Sequence, residues 1–197
     1  MASKKDVISF VEKFKNEVIL PCAEEGILDA DVLTETIDVF LEELDQQEAA
    51  NRVLSITKDG NWRGLHPLTP MTFELDGKKF ASITHYKFAV RYFGADDECG
   101  TYIMEARTPE IAHRRGEEMA GLDRIKREDW EYSEEENMKK GYKALLSSDH
   151  ELLKLFLATN SNIEFTNTAD TVLGSGLDGK GGNMLPKILK ELRKEMK

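Results

Sequence analysis

Apolar residues recur at helical spacing over most of this chain. Val7, Phe10, Val11, Phe14 and Val18 share one face of a helix expected over residues 3–20, opened by a capping-box-like Ser3 and Asp6 and closed by Pro21. Leu33, Ile37, Phe40, Leu41 and Leu44 predict a second helix over residues 31–50. The Gly- and Pro-rich stretch from Asp59-Gly60 to Pro70 then marks the expected boundary between a two-helix extension, residues 1–58, and a main domain, residues 59–197. Core packing is the ordinary reason for such stripes; a lid or a dimer contact is the alternative.

Beyond the boundary, Met71–Leu75 alternates as a strand does and is closed by the turn Asp76-Gly77. Helical spacing resumes over Ser82–Tyr92. Thr108-Pro109-Glu110 is a helix start, with Thr as N-cap and Pro in the first turn, and Gly116 is expected to interrupt or end that helix. Ser133-Glu134-Glu135-Glu136 reads as a capping box opening a helix through Met138, Tyr142 and Leu145. Ser148 with Glu151 opens another, and Leu185, Ile188, Leu189 and Leu192 line a terminal helix. The expected class is mainly α with a few short strands (α+β), without internal repeats.

Composition narrows the functions. The 197 residues are 40% apolar and 32% charged, enough to bury a core, and the net charge is -10. Such a surface repels a phosphate backbone and disfavours sequence-independent nucleic-acid binding. No apolar run approaches the length of a membrane span, and the N-terminus lacks a signal peptide's apolar core, so a cytoplasmic protein is expected. Cys22 and Cys99 are far apart, the four histidines are scattered, and neither set has metal-ligand spacing. Oligomeric state is not legible.

The most distinctive segment is Leu173-Gly174-Ser175-Gly176-Leu177-Asp178-Gly179-Lys180-Gly181-Gly182-Asn183, which runs into the last helix. Its five glycines between positions 174 and 182 allow close approach of backbone to a ligand. The helix behind it would offer unpaired N–H groups to a phosphate, and Lys180 would add charge. The spacing is neither that of a P-loop nor of a dinucleotide fingerprint, and a plain surface turn explains it about as often. Asp170 and Glu164 stand just upstream, where a carboxylate would stabilise a ribosyl cation or orient a water. Trp130, beside Arg127 and Asp129, offers a face for a flat heterocycle, and His85 lies among apolar residues. The commoner fates of such groups are solvated charges and a satisfied core histidine.

Taken in order, His85-Tyr86, Thr108 to Ala112, Arg127 to Glu131, Leu157 to Glu164 and Asp170 to Arg193 resemble the NADAR (YbiA-like) family over about residues 71–197. The resemblance implies a compact, largely helical fold and an N-glycosidase that hydrolyses the C–N bond between ribose and a base. It implies as ligands phosphoribosylated riboflavin-pathway intermediates or ADP-ribose on guanine of nucleic acid, and no metal or redox cofactor. In these terms Asp170 and Asp129 are the candidate catalytic carboxylates, with Glu105 a further one. Trp130, His85, Glu164, Gly174, Gly176, Gly182 and Asn183 are the candidate ligand contacts.

Departures from the family pattern fall at the site. Thr84 stands where the family has a Glu before His-Tyr, and threonine can neither carry negative charge nor act as a base. Leu173 replaces a Trp, Pro186 replaces a Gly, and Trp62-Arg63-Gly64-Leu65-His66-Pro67 occupies the place of a Phe-Ser-Asn element. A binding protein that has lost turnover is therefore the second expectation, and an interaction protein working through its N-terminal hairpin the third.

Overall fold

A computed structural model describes Val11, Phe14–Asn16, residues 53–166 and residues 168–197. The expected helices at 3–20 and 31–50 lie, apart from those first four positions, outside the described residues. The chain divides into two units, residues 1–52 and 53–197. The second carries all the strands found among the described residues.

Strand β1 (Leu54–Ser55) pairs in parallel with β4 (Ile163–Glu164), so the second unit begins ahead of the boundary expected at residue 59. Strands β2 (Phe73–Leu75) and β3 (Lys78–Phe80) form a hairpin with Leu75 opposite Lys78. Its turn residues Asp76 and Gly77 both have positive φ, 52° and 70°, the mirror-image turn that matches strand twist and favours an Asp-Gly pair.

Helix α1 (Ile83–Ala89) is the centre of the unit, with all seven residues buried. Ser82 caps it by accepting from the His85 amide. α2 (Asp97–Met104) has no counterpart among the expected elements; Asp96 caps it by accepting from the Cys99 amide. α3 (Pro109–Gly121) starts as expected on Thr108, whose hydroxyl accepts from the Ile111 amide. It does not stop at Gly116. A Cβ there would lie 2.1 Å from Phe88 Cδ1, so the missing side chain is what lets α3 lie against α1.

α4 (Trp130–Ser148) begins three residues before the expected capping box, on Asp129, and carries Ser133 inside its first turns. Burial of Trp130 rewards the earlier start. Gly141 of α4 meets α1 as Gly116 does, since a Cβ would fall 2.6 Å from the Tyr86 ring. α5 (His150–Ala158) is capped by Asp149, not Ser148, through the Leu152 amide. In α6 (Met184–Glu195) the stripe Leu185, Ile188, Leu189 and Leu192 is buried, as the spacing predicts. Each such side chain contributes about 2 kcal/mol of hydrophobic free energy. Among the described residues no helix is long and apolar enough to cross a membrane.

Candidate functional site

One side chain of α1 is out of character for a fully buried helix. Lys87 is 5% exposed, and an unpaired ammonium there would be strongly disfavoured. Its Nζ donates to Asp170 Oδ2 at 2.7 Å. The other carboxylate oxygen of Asp170 accepts from the amides of Val172 (2.9 Å) and Leu173 (2.8 Å). Burial pushes the Asp170 carboxyl up, but attraction to Lys87 and the hydrogen bonds from Lys87, Leu173 and Val172 together hold it below the ordinary carboxylate value. Asp170 is therefore an anion at neutral pH.

This pair lines a cavity of about 270 Å³. Pro67, Leu68, Phe88 and Phe165 form its apolar walls, and Thr84, His66, His113 and Thr168 join Lys87 and Asp170 as its polar groups. Thr84 is buried and its hydroxyl donates to the Pro67 carbonyl at 2.7 Å, so it is committed to the fold. His113, on α3, sets its ring edge-on to Phe88 with centroids 4.9 Å apart.

The glycine-rich segment, the expected phosphate cradle, bonds largely within its own loop. Its amides turn inward: Gly176 donates to the Asp170 carbonyl, Gly181 to Ser175, Gly182 to Thr171 and Asn183 to Gly174. The start of α6 is equally occupied, Met184 and Leu185 donating to Val172 and Leu173, while Pro186 has no N–H. Gly181 has no room for a Cβ, which would sit 2.5 Å from the Gly174 carbonyl oxygen, and Gly176 needs φ +69°. The loop is a knot that fixes Asp170, and Gly174, Gly176, Gly182 and Asn183 are outside the cavity lining.

Four other sequence candidates also lie elsewhere. His85 is fully buried, with Nδ1 2.8 Å from the Ser82 hydroxyl and Nε2 3.0 Å from the Ala106 carbonyl, so both ring nitrogens are satisfied within the core. Asp129 is held by Arg127 in a two-pronged pair of 2.9 and 2.6 Å. Trp130 is 7% exposed and packs under the Arg91 guanidinium, 5.3 Å from its ring, leaving no free face for a heterocycle. Glu164 is an exposed residue of β4 whose backbone carbonyl accepts from the Ile56 amide. Of the site residues named from sequence, Asp170 and Thr84 are brought together. Lys87, His66 and His113 were missed; a lysine inside an apolar helical stretch was the one available signal. Among the described residues no cluster of three His, Cys, Asp or Glu side chains could hold a metal ion.

A compact α+β unit with a carboxylate–ammonium pair in an apolar-walled cavity is thus the frame of this protein. The NADAR domain model matches residues 45–197, and the chain belongs to that family. It is 33% identical to the N-glycosidase YbiA of Escherichia coli (strain K12) over 127 residues, 62% of this chain and 74% of the relative. It is 28% identical over 121 residues to the chloroplastic riboflavin biosynthesis protein PYRR of Zea mays, covering 58% of this chain and 19% of that protein. The NMR structure of the E. coli protein YbiA superposes with a TM-score of 0.62 at 25% identity, over 74% of this chain and 85% of that one.

Proposed function

We propose that this protein is an N-glycosidase-type hydrolase that cleaves the C–N bond between ribose and a base in a phosphoribosyl or ADP-ribosyl compound. The observation that carries the reading is Asp170: an ionised carboxylate on an apolar-walled cavity, held by Lys87 and two amides, in a chain related to N-glycosidases. As the C–N bond breaks, its electrons leave with the base and positive charge develops over the ribose carbon and ring oxygen. A fixed anion in low dielectric lowers that barrier because it is already oriented when the charge appears. Water then adds to the ribose carbon, and its proton ends on the departed base. Lys87 has three N–H groups and spends one on Asp170, leaving donors for a ligand hydroxyl or phosphate. The test is incubation with ADP-ribosylated guanosine and with a ribosylaminopyrimidine phosphate, followed by chromatography of the free base. No release at any enzyme excess rejects the reading.

A second reading is favoured by Thr84. The hydroxyl is tied to Pro67, and Asp170 is already bonded through both oxygens, so no free base lines the cavity wall on α1. The protein would then bind an ADP-ribose- or nucleotide-type ligand without turnover. Binding of ADP-ribose by calorimetry, no base release, and release gained by Thr84→Glu select it.

A further inference from the structure

The turn that enters the cavity is held with unusual completeness. Three consecutive carbonyls are each engaged: Leu65 by the Tyr142 hydroxyl (3.3 Å), His66 by the Thr69 amide (2.9 Å), and Pro67 by both the Thr84 amide (3.1 Å) and the Thr84 hydroxyl (2.7 Å). His66 is the residue this scaffold presents. Its ring stands edge-on to Phe165, with centroids 5.4 Å apart and planes at 86°. Its Nδ1 accepts from the Leu68 amide at 3.2 Å, which leaves that nitrogen without a proton and puts the ring proton on Nε2. No hydrogen bond to Nε2 is formed among the described residues. Asp170 is bonded through both oxygens and Thr84 has donated its proton, whereas the His66 Nε2–H is a donor with no partner among the described residues on the lining of this cavity.

We propose that His66 is a specificity-determining residue, a neutral imidazole whose Nε2–H selects a hydrogen-bond acceptor on the ligand, and that Thr84 is the residue that positions it. The charged surroundings agree. Burial and then the positive charge of Lys58 lower the imidazole's proton affinity, while Asp170 and Asp59 raise it less. At neutral pH the ring is uncharged, and a neutral donor favours a carbonyl, ring nitrogen or hydroxyl over a phosphate, for which Lys87 is the better match. The assignment takes from the glycosidase reading only the kind of ligand, a ribosyl compound.

The test uses the full chain labelled with ¹⁵N-histidine, with His66 signals assigned by their loss in His66→Gln. Long-range ¹H–¹⁵N spectra at pH 7 are expected to show a single neutral form protonated on Nε2; an Nδ1-protonated ring or an exchanging mixture overturns the proposal. Thr84→Val is expected to turn that signal into a mixture and Thr84→Ser to preserve it; an unchanged spectrum in Thr84→Val overturns the positioning part. With ADP-ribose as probe, His66→Phe weakens binding by roughly tenfold while His66→Gln, which keeps an N–H donor, stays within about threefold. Equal affinities in wild type and His66→Phe overturn the ligand contact, and near-ultraviolet circular dichroism checks that each variant is folded. A wild type that neither binds the probe nor releases base rejects the glycosidase reading, and the wild-type tautomer spectrum then decides the donor assignment alone.

Discussion

Phe88 of α1 fills the place of the side chain that Gly116 of α3 lacks, for a Cβ on that glycine would lie 2.1 Å from its ring. The same phenylalanine walls the cavity and carries the edge of His113. Helix packing and cavity shape therefore share one contact. Gly116→Ala gains helix propensity of about 1 kcal/mol but must push the ring into the site, and overpacking of this kind costs about 1–3 kcal/mol. The net expectation is a loss of stability in urea unfolding together with weaker ribosyl-ligand binding. Unchanged stability would show that Phe88 has room to move.

The Lys87–Asp170 pair links stability to pH. The carboxyl's folded proton affinity lies below its ordinary value of 3.8, so the unfolded chain binds the proton more readily than the folded one. The stabilisation is present in full above that ordinary value and is lost as pH falls through the folded one. Lys87→Met removes the largest favourable cause and leaves a part-buried carboxylate with only its two amide donors, a loss of about 2 kcal/mol. Denaturation at neutral pH should register this loss. It should also shrink as pH falls into the acid range, where Asp170 becomes neutral in both states. A deficit that is constant with pH would mean the lysine matters only for packing.

Much of the fold was legible where local chemistry settles it. Thr108-Pro109 and Asp76-Gly77 needed nothing beyond their own backbone preferences. Where two local signals competed, burial decided: Ser133 makes a plausible cap, but Trp130 gains a buried ring by starting α4 earlier. Gly116 reads as a helix breaker until the helix it faces is known. The site was harder for a different reason. Lys87 and Asp170 are separated by 83 positions, and no spacing rule reaches so far. The glycines of 174–182 pointed to a demanding backbone, yet whether its amides face a ligand or their own carbonyls is a property of the folded loop.

His85, the fully buried imidazole among the described residues, makes a distinct prediction. It is neutral in the fold, because burial outweighs the hydrogen bond to Ala106 and its proton affinity lies below the ordinary 6.5. The folded state thus binds fewer protons than the unfolded one below pH 6.5, and stability present in full above that value declines as pH falls. Each buried histidine gives a slope of up to roughly 1.4 kcal/mol per pH unit in that window. His85→Leu should be less stable by about 2 kcal/mol at pH 7.5, since the Ala106 carbonyl loses its donor, and its stability should depend less on pH between 6.5 and 5. An identical pH slope in wild type and variant would place the titration on His66 instead.

The glycine-rich segment offers the sharpest contrast between a cradle and a knot. If its amides and Lys180 gripped a phosphate, Lys180→Ala would weaken ligand binding several-fold and Gly181→Ala would act mainly through the lost approach of backbone to ligand. The observed bonds run inward, Lys180 is exposed, and a methyl group on Gly181 would strike the Gly174 carbonyl at 2.5 Å. That carbonyl accepts from Asn183, and the same loop supplies the Val172 and Leu173 amides that bind Asp170. Lys180→Ala should therefore leave affinity for ADP-ribose within about twofold, a change near the noise of a surface substitution. Gly181→Ala should lower the melting temperature and weaken binding by roughly tenfold or more, because a backbone clash cannot relax as a side chain does and the carboxylate loses its seat. Calorimetric titration of the two variants, beside their thermal unfolding, separates the cases: a Lys180→Ala defect with a healthy Gly181→Ala would restore the cradle.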